Sequence, residues 1–194
     1  MLPLEKLVNV NQIGEPVNEA LSGVLTLSSD VKQAKDDEVK TLLLAIDVQN
    51  DFMDDGALGV PGAKEDVKRL IQFVYDHFED ITHITASLDT HKPHQIFHPC
   101  WWENQDGEEP EPLTIITYED IKEGKWIPRY EKEKSMTYVQ KLEESSKKQL
   151  CIWPYHCIQG TFGHSLEGQF AKLSYYHSVM RGYDFTTIVK GEDP

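Results

Sequence analysis

Residues 41–52 read T-L-L-L-A-I-D-V-Q-N-D-F: five apolar residues in a row, Leu42 to Ile46, closed by Asp47 and a polar stretch. A run that is apolar at every position suits a strand buried on both faces, as inside a parallel sheet. After the breaker G-V-P-G at Gly59 to Gly62, the apolar residues Val67, Leu70, Ile71, Val74 and Phe78 recur at helical spacing, which predicts an amphipathic helix over 63–78. I-T-H-I-T-A-S-L-D, Ile81 to Asp89, follows as a short β-branched strand that ends in an acid. Strand, helix and strand in this order form a βαβ unit, so the expected class is α/β, a parallel sheet flanked by helices in three layers.

The rest of the chain is arranged around that unit. Residues 1–40 show only weak helical periodicity and end in the charged K-Q-A-K-D-D-E-V-K, which reads as an N-terminal extension to an α/β domain over 41–194. Pro99 to Gln149 breaks the strand–helix rhythm. It is rich in acids (Glu103, Asp106, Glu108, Glu109, Glu111) and in tryptophan (Trp101, Trp102, Trp126), with a helix expected over 136–148, and reads as an insertion that covers something. A helical pattern over 165–180 and a final strand carrying Lys190 complete the order.

Composition narrows the partners. The 194 residues suit one domain with a proper core, and 33 acidic against 19 basic residues give a net charge of −14, which repels phosphate backbones and anionic lipid. Nucleic acid and membrane are therefore not expected partners. The start, M-L-P-L-E-K-L-V-N-V-N-Q, carries an acid at Glu5 and no apolar core or cleavage site of a signal peptide. Three cysteines, an odd number, suit a reducing compartment rather than a disulfide framework. The expected location is cytoplasmic.

In parallel α/β sheets ligands gather at the carboxyl ends of strands. Asp47, Asp89 and Lys190 all fall at such ends, so two acids and a base are expected along one sheet edge. Asp89-Thr-His91 sets a carboxylate and an imidazole two residues apart, on one side of an extended segment. Both are good ligands for zinc, iron or manganese, and His94, His98 and His156 supply further imidazoles. Taken singly, each has a plainer reading: the histidines as polar loop residues, Asp47 as a turn cap, Lys190 as a surface lysine. Among the thiols, Cys100 sits in the acidic segment, while Cys151 and Cys157 flank I-W-P-Y-H.

Taken together these residues resemble the nicotinamidase branch of the isochorismatase-like cysteine hydrolases. Four motifs in one order carry the resemblance: L-L-A-I-D-V-Q-N-D-F around Asp47, S-L-D-T-H around Asp89 and His91, W-P-Y-H-C-I-Q-G-T-F-G around His156, and I-V-K-G around Lys190. The resemblance implies that Asp47 is the general base of an Asp-Lys-Cys triad and Lys190 its lysine. It implies Asp89, His91 and His156 as ligands of a divalent metal, zinc ahead of iron or manganese, that holds a pyridine nitrogen. It also implies Phe52 and Trp153 as aromatics against the ring, and His98, ahead of His94, as a fourth ligand. The implied activity is conversion of nicotinamide to nicotinate and ammonia through a thioester, in NAD salvage.

The chain departs from that pattern in two places. The family's cysteine lies beyond the lysine strand, so the nucleophile and the last strands are expected past residue 194, and the 194-residue chain alone is expected to be inactive. The insertion at 99–149 leaves open a lid, a homo-oligomer contact or a specificity element. It also leaves two other readings: a cysteine hydrolase for another amide or carbamoyl compound, and a non-catalytic homologue that binds metal and a small molecule.

Overall fold

A computed structural model describes residues 1–17, 21–28, 30–146 and 148–192. Asn18 to Ala20, Ser29, Lys147, Asp193 and Pro194 lie outside the described residues; they include part of the expected extension, one residue of the expected 136–148 helix and the last two of the domain. In chain order the elements are α1 (Leu4–Leu7), α2 (Leu21–Leu25), β1 (Leu42–Ile46), α3 (Ala63–Asp76), β2 (His83–Asp89), β3 (Trp102–Glu103), β4 (Ile115–Ile116), α4 (Tyr118–Lys122), β5 (Ile127–Pro128), α5 (Lys132–Ser146), β6 (Leu150–Cys151), α6 (Gly168–Arg181) and β7 (Thr186–Lys190). They form two compact units, residues 1–90 with 159–191, and residues 91–158 with 192–194. No helix among the described residues is long and apolar enough to cross a membrane.

The first unit is built on a three-stranded parallel sheet in the order β1-β2-β7. Leu43, Ala45, Ile84 and Ala86 point from the sheet into a core shared with Val67, Ile71 and Val74 of α3 and Phe170, Leu173 and Tyr176 of α6. Asp54 accepts hydrogen bonds from the Gly62 and Lys64 amides (2.7 and 2.8 Å), satisfying donors that the start of α3 would leave open. Buried Glu167 does the same for α6 at the Gln169 and Phe170 amides (3.0 and 2.8 Å), and Gly182 ends that helix at φ 65°. These caps place the α6 start at Gly168 rather than at the expected residue 165.

Two expectations change here. β1 is parallel as expected but is covered on one face only: Leu42, Leu44 and Ile46 are 58, 47 and 65% exposed, and Ile188 of β7 on the same face is 53% exposed. The helices of the described residues pack on the opposite face. β2 begins at His83 instead of Ile81. The Ile81 carbonyl is taken by the His177 and Arg181 side chains of α6 (3.0 and 3.3 Å), which removes it from the strand ladder.

Residues 1–40, expected as an extension, contribute Leu7, Val8, Ile13 and Val24 to the same core. Asp37 accepts from Thr82 Oγ1 (2.6 Å) and from buried Arg181 (2.5 Å). Burial alone would raise the Asp37 carboxyl, but Arg181, Thr82 and Lys32 hold it down to about 2.

The second unit has its own core of Ile96, Trp102, Ile116, Ile121, Val139, Leu150 and Ile152. Two short antiparallel pairs, β3 with β5 and β4 with β6, frame it. Thr117 and Asp120 form a reciprocal cap at the start of α4. α5 starts four residues before the expected Met136, because its first turn is the polar Lys132 to Ser135, in which helical periodicity has no apolar marks.

Candidate functional site

β1, β2 and β7 run parallel and deliver their last residues to one sheet edge. Asp89 and Lys190 are register partners, and Asp47 follows Ile46, the partner of Ser87. Lys190 Nζ lies 3.0 Å from Asp47 Oδ2 and 3.0 Å from Asp89 Oδ1. Burial alone would lower the Lys190 ammonium, but its hydrogen bonds to Asp89 and Asp47 more than offset this and hold it above its ordinary value. Lys190 is thus a fixed cation near neutral pH and not a proton acceptor.

Asp47 adopts a left-handed backbone, φ 56°, which aspartate tolerates better than most residues and which turns the chain out of the strand. Ser87 Oγ donates to Asp47 Oδ1 (2.8 Å) and accepts from the Asp47 amide (3.1 Å), so it holds both the carboxylate and the backbone of Asp47. Gln49, fully buried, holds the backbone of Asp89. Its Oε1 accepts from the Asp89 amide (2.7 Å), and its Nε2 donates to the Asp89 and His164 carbonyls (2.8 Å each). Sequence reasoning passed over both residues. Ser87 had a signal, being a polar residue on the same strand face as Asp89; Gln49 had none beyond its place after the acid.

His91 follows two residues after Asp89. Its amide donates to the Cys157 carbonyl (3.0 Å), which brings the D-T-H and Y-H-C segments together. The His91 and His156 rings lie 4.8 Å apart at 66°. Asp89, His91 and His156 each offer a ligand atom, all within 4.8 Å of one another. His156 Nδ1 is 2.8 Å from the Pro154 carbonyl. A proton on Nδ1 for that bond leaves Nε2 as a lone pair, the tautomer a metal-binding histidine needs. A carboxylate and two imidazoles fit zinc, iron or manganese.

The other expected site residues separate. His98 is fully buried, with Nδ1 3.0 Å from the Pro93 carbonyl and Nε2 without a hydrogen-bond partner among the described residues. Burial, with the nearby His91 and His156, pushes its imidazole down to about 4, so it is neutral. It is 6.0 Å ring to ring from His91 and is not one of the three clustered donors. His94 instead packs between Trp101 and Tyr130, at 4.7 and 4.4 Å. Trp153 is 37% exposed, 6.3 Å from the His156 ring. Phe52 is half-buried in the short 50–52 turn just after Asp47.

The turn that holds Phe52 packs against Gly163. Asp51 donates its amide to the Gly163 carbonyl (3.1 Å), and a side chain at 163 would collide with the Asp51 carboxylate. No disulfide joins the three cysteines: Cys157 is buried, and Cys100 and Cys151 are half-buried. Burial raises the Cys151 thiol.

No family model matches the chain. Over 132 residues it is 25% identical to the nicotinamidase of Saccharomyces cerevisiae, covering 68% of this chain and 50% of that protein. The crystal structure of yeast nicotinamidase bound to the inhibitor nicotinaldehyde superposes with a TM-score of 0.50 at 23% identity, covering 79% of this chain and 57% of that one. The chain therefore shares the fold of that structure, a parallel sheet flanked by helices. It spans about half the length of the curated relative it matches. The strand-end cluster lies on the parallel sheet of that fold.

Proposed function

We propose that the protein is a metal-dependent amidohydrolase converting nicotinamide to nicotinate and ammonia. The observation that carries this reading is the Lys190 ammonium held 3.0 Å from both strand-end carboxylates, one of which also belongs to the Asp89, His91 and His156 group. A divalent ion held by those three residues, zinc ahead of iron or manganese, would supply a Lewis-acidic anchor for a pyridine nitrogen. His98 stands by as a further imidazole donor.

The chain's own residues then divide the work. Asp47 takes the proton of a thiol, and the sulfur bonds to the carboxamide carbon. Lys190, kept cationic by its carboxylates, stabilises the negative charge that forms on the carboxamide oxygen. The C–N bond breaks as ammonia leaves with the proton from Asp47. Water, deprotonated by Asp47, opens the thioester to the acid. Phe52 and Trp153 pack against the ring and orient it. The thiol is the one member of this scheme not assigned to a residue of the sequence; Cys157 is fully buried and the Cys151 thiol is raised. The biological setting proposed is NAD salvage in the cytoplasm.

Binding and turnover test the reading separately. Calorimetry with nicotinamide should show binding that a chelator abolishes and zinc restores. Where the thiol is present, ammonia assays should show release from pyridine carboxamides and not from aliphatic amides or carbamoyl compounds. Preference for a carbamoyl compound would assign another hydrolase activity, and metal-dependent binding without ammonia even where the thiol is present would assign a non-catalytic binding protein.

A further inference from the structure

The second unit contains a cavity of about 350 Å³ whose lining includes Trp101, His94, Ile96 and Tyr138. It is none of the residues of the proposed reaction. Its walls are stiff: His94 packs on Trp101 at 4.7 Å and on Tyr130 at 4.4 Å, Trp101 and Tyr130 meet at 5.4 Å, and Trp101 Nε1 donates to Ser135 Oγ at 2.9 Å. Ser135 is buried and also donates to the Tyr130 carbonyl (3.1 Å), so the aromatic wall is fastened to the first turn of α5.

Three features define what fits. The volume lies in the range of small-molecule sites, which are mostly apolar with a few polar groups that fix orientation. Aromatic walls favour a planar ring, offset-stacked or edge-on. The charges at the rim cancel: Lys92 and Lys134 stand against Glu131 and Glu192, and Lys134 is already 2.9 Å from Glu131. An ionic occupant would lose its hydration without a net opposite charge in return. The lining also offers polar groups that can meet a ligand, among them the Tyr138 hydroxyl, which has no hydrogen-bond partner among the described residues.

We propose that this cavity is an accessory binding site for a neutral planar aromatic molecule carrying a hydrogen-bonding substituent such as a carboxamide. The ring lies against Trp101 and His94, and the substituent meets the Tyr138 hydroxyl. The proposal is independent of the nicotinamidase reading, since it uses none of Asp47, Asp89, His91, His156 or Lys190.

The test uses three probes with one ring and different charge: benzamide, benzoate and benzyltrimethylammonium. None carries a pyridine nitrogen, so the metal-ligand group has no handle on them. Affinity is measured by titration, with the Trp101 indole N–H resonance as the local reporter. Benzamide should shift that resonance and bind at least about fivefold tighter than either ion, the equivalent of one net hydrogen bond. Tyr138→Phe, which removes only the hydroxyl, should weaken benzamide about fivefold, and His94→Ala about as much through lost stacking. Asp89→Asn should leave benzamide affinity unchanged. The proposal is overturned if either ion binds as tightly as benzamide, if both pocket variants bind it normally, or if Asp89→Asn or a chelator abolishes its binding.

Discussion

Lys190 and its two carboxylates, and the imidazoles of His91 and His156, are both compact groups of titratable side chains, yet they are electrostatically different. The first group supplies its own counter-charge: a cation sits 3.0 Å from each of two acids, and Ser87 and Gln49 hold the acids in place. In the second, the rings meet at 4.8 Å, and His156 Nδ1 lies 2.8 Å from the Pro154 carbonyl, which directs a lone pair the other way. A group that is already compensated is suited to moving protons and stabilising charge during a reaction. A group of imidazole donors is suited to holding an ion. Asp89 takes part in both, so substitution separates the two groups at Lys190 on one side and at His91 or His156 on the other.

The largest effect expected from that separation is at Lys190. Lys190→Met should leave metal content intact while lowering turnover about 100-fold to 1,000-fold, the loss typical of removing a charge-stabilising donor. A matching loss of metal in this variant would merge the two groups into one.

A third carboxylate–cation pair serves as the structural reference. Asp37 and Arg181 are almost wholly shielded, with side chains 5% and 0% exposed, and take part in no proposed chemistry. Asp37→Asn should cost about 3 kcal/mol, because it leaves the Arg181 charge buried without its partner; thermal unfolding reads the loss, with metal content per folded chain unchanged. The sign with pH follows from the lowered carboxyl. The contribution of Asp37 is full above its ordinary 3.8 and is lost as pH falls through about 2. Stability curves of the parent and Asp37→Asn should therefore converge in that window.

The smallest effect expected is at Ser87. Ser87→Ala removes both hydrogen bonds with Asp47, one to its carboxylate and one from its amide, and should lower kcat about fivefold to tenfold with little change in KM, in keeping with about 1 kcal/mol of positioning. A change in KM alone would move Ser87 from orienting Asp47 to binding substrate.

The sequence showed most clearly those features that depend on local pattern. The 63–76 helix, the two parallel strands and the strand ending at Lys190 follow from periodicity, and a charged residue closing each apolar run marks the sheet edge. What it hid depends on distant partners. The lone Leu7 and Ile13 gave no periodic signal, because their core neighbours come from elsewhere in the unit. Gln49 looks like any polar residue until the Asp89 backbone is placed beside it. His94 and His98 compete for one ligand role in the sequence, with His98 ahead. The fold separates them by stacking one on Trp101 and burying the other next to the Pro93 carbonyl. The two-residue strands β3 to β6 are too short for any alternation to show.

Metal stoichiometry bears most directly on the central claim, that Asp89, His91 and His156 form an ion site beside a separately compensated Lys190 cluster. Elemental analysis of the dialysed protein should find one divalent ion per chain, lost in Asp89→Asn and in His156→Ala while circular dichroism stays unchanged, and kept in Lys190→Met. An ion-free parent protein, or an ion retained at full occupancy in both ligand variants, would contradict the account.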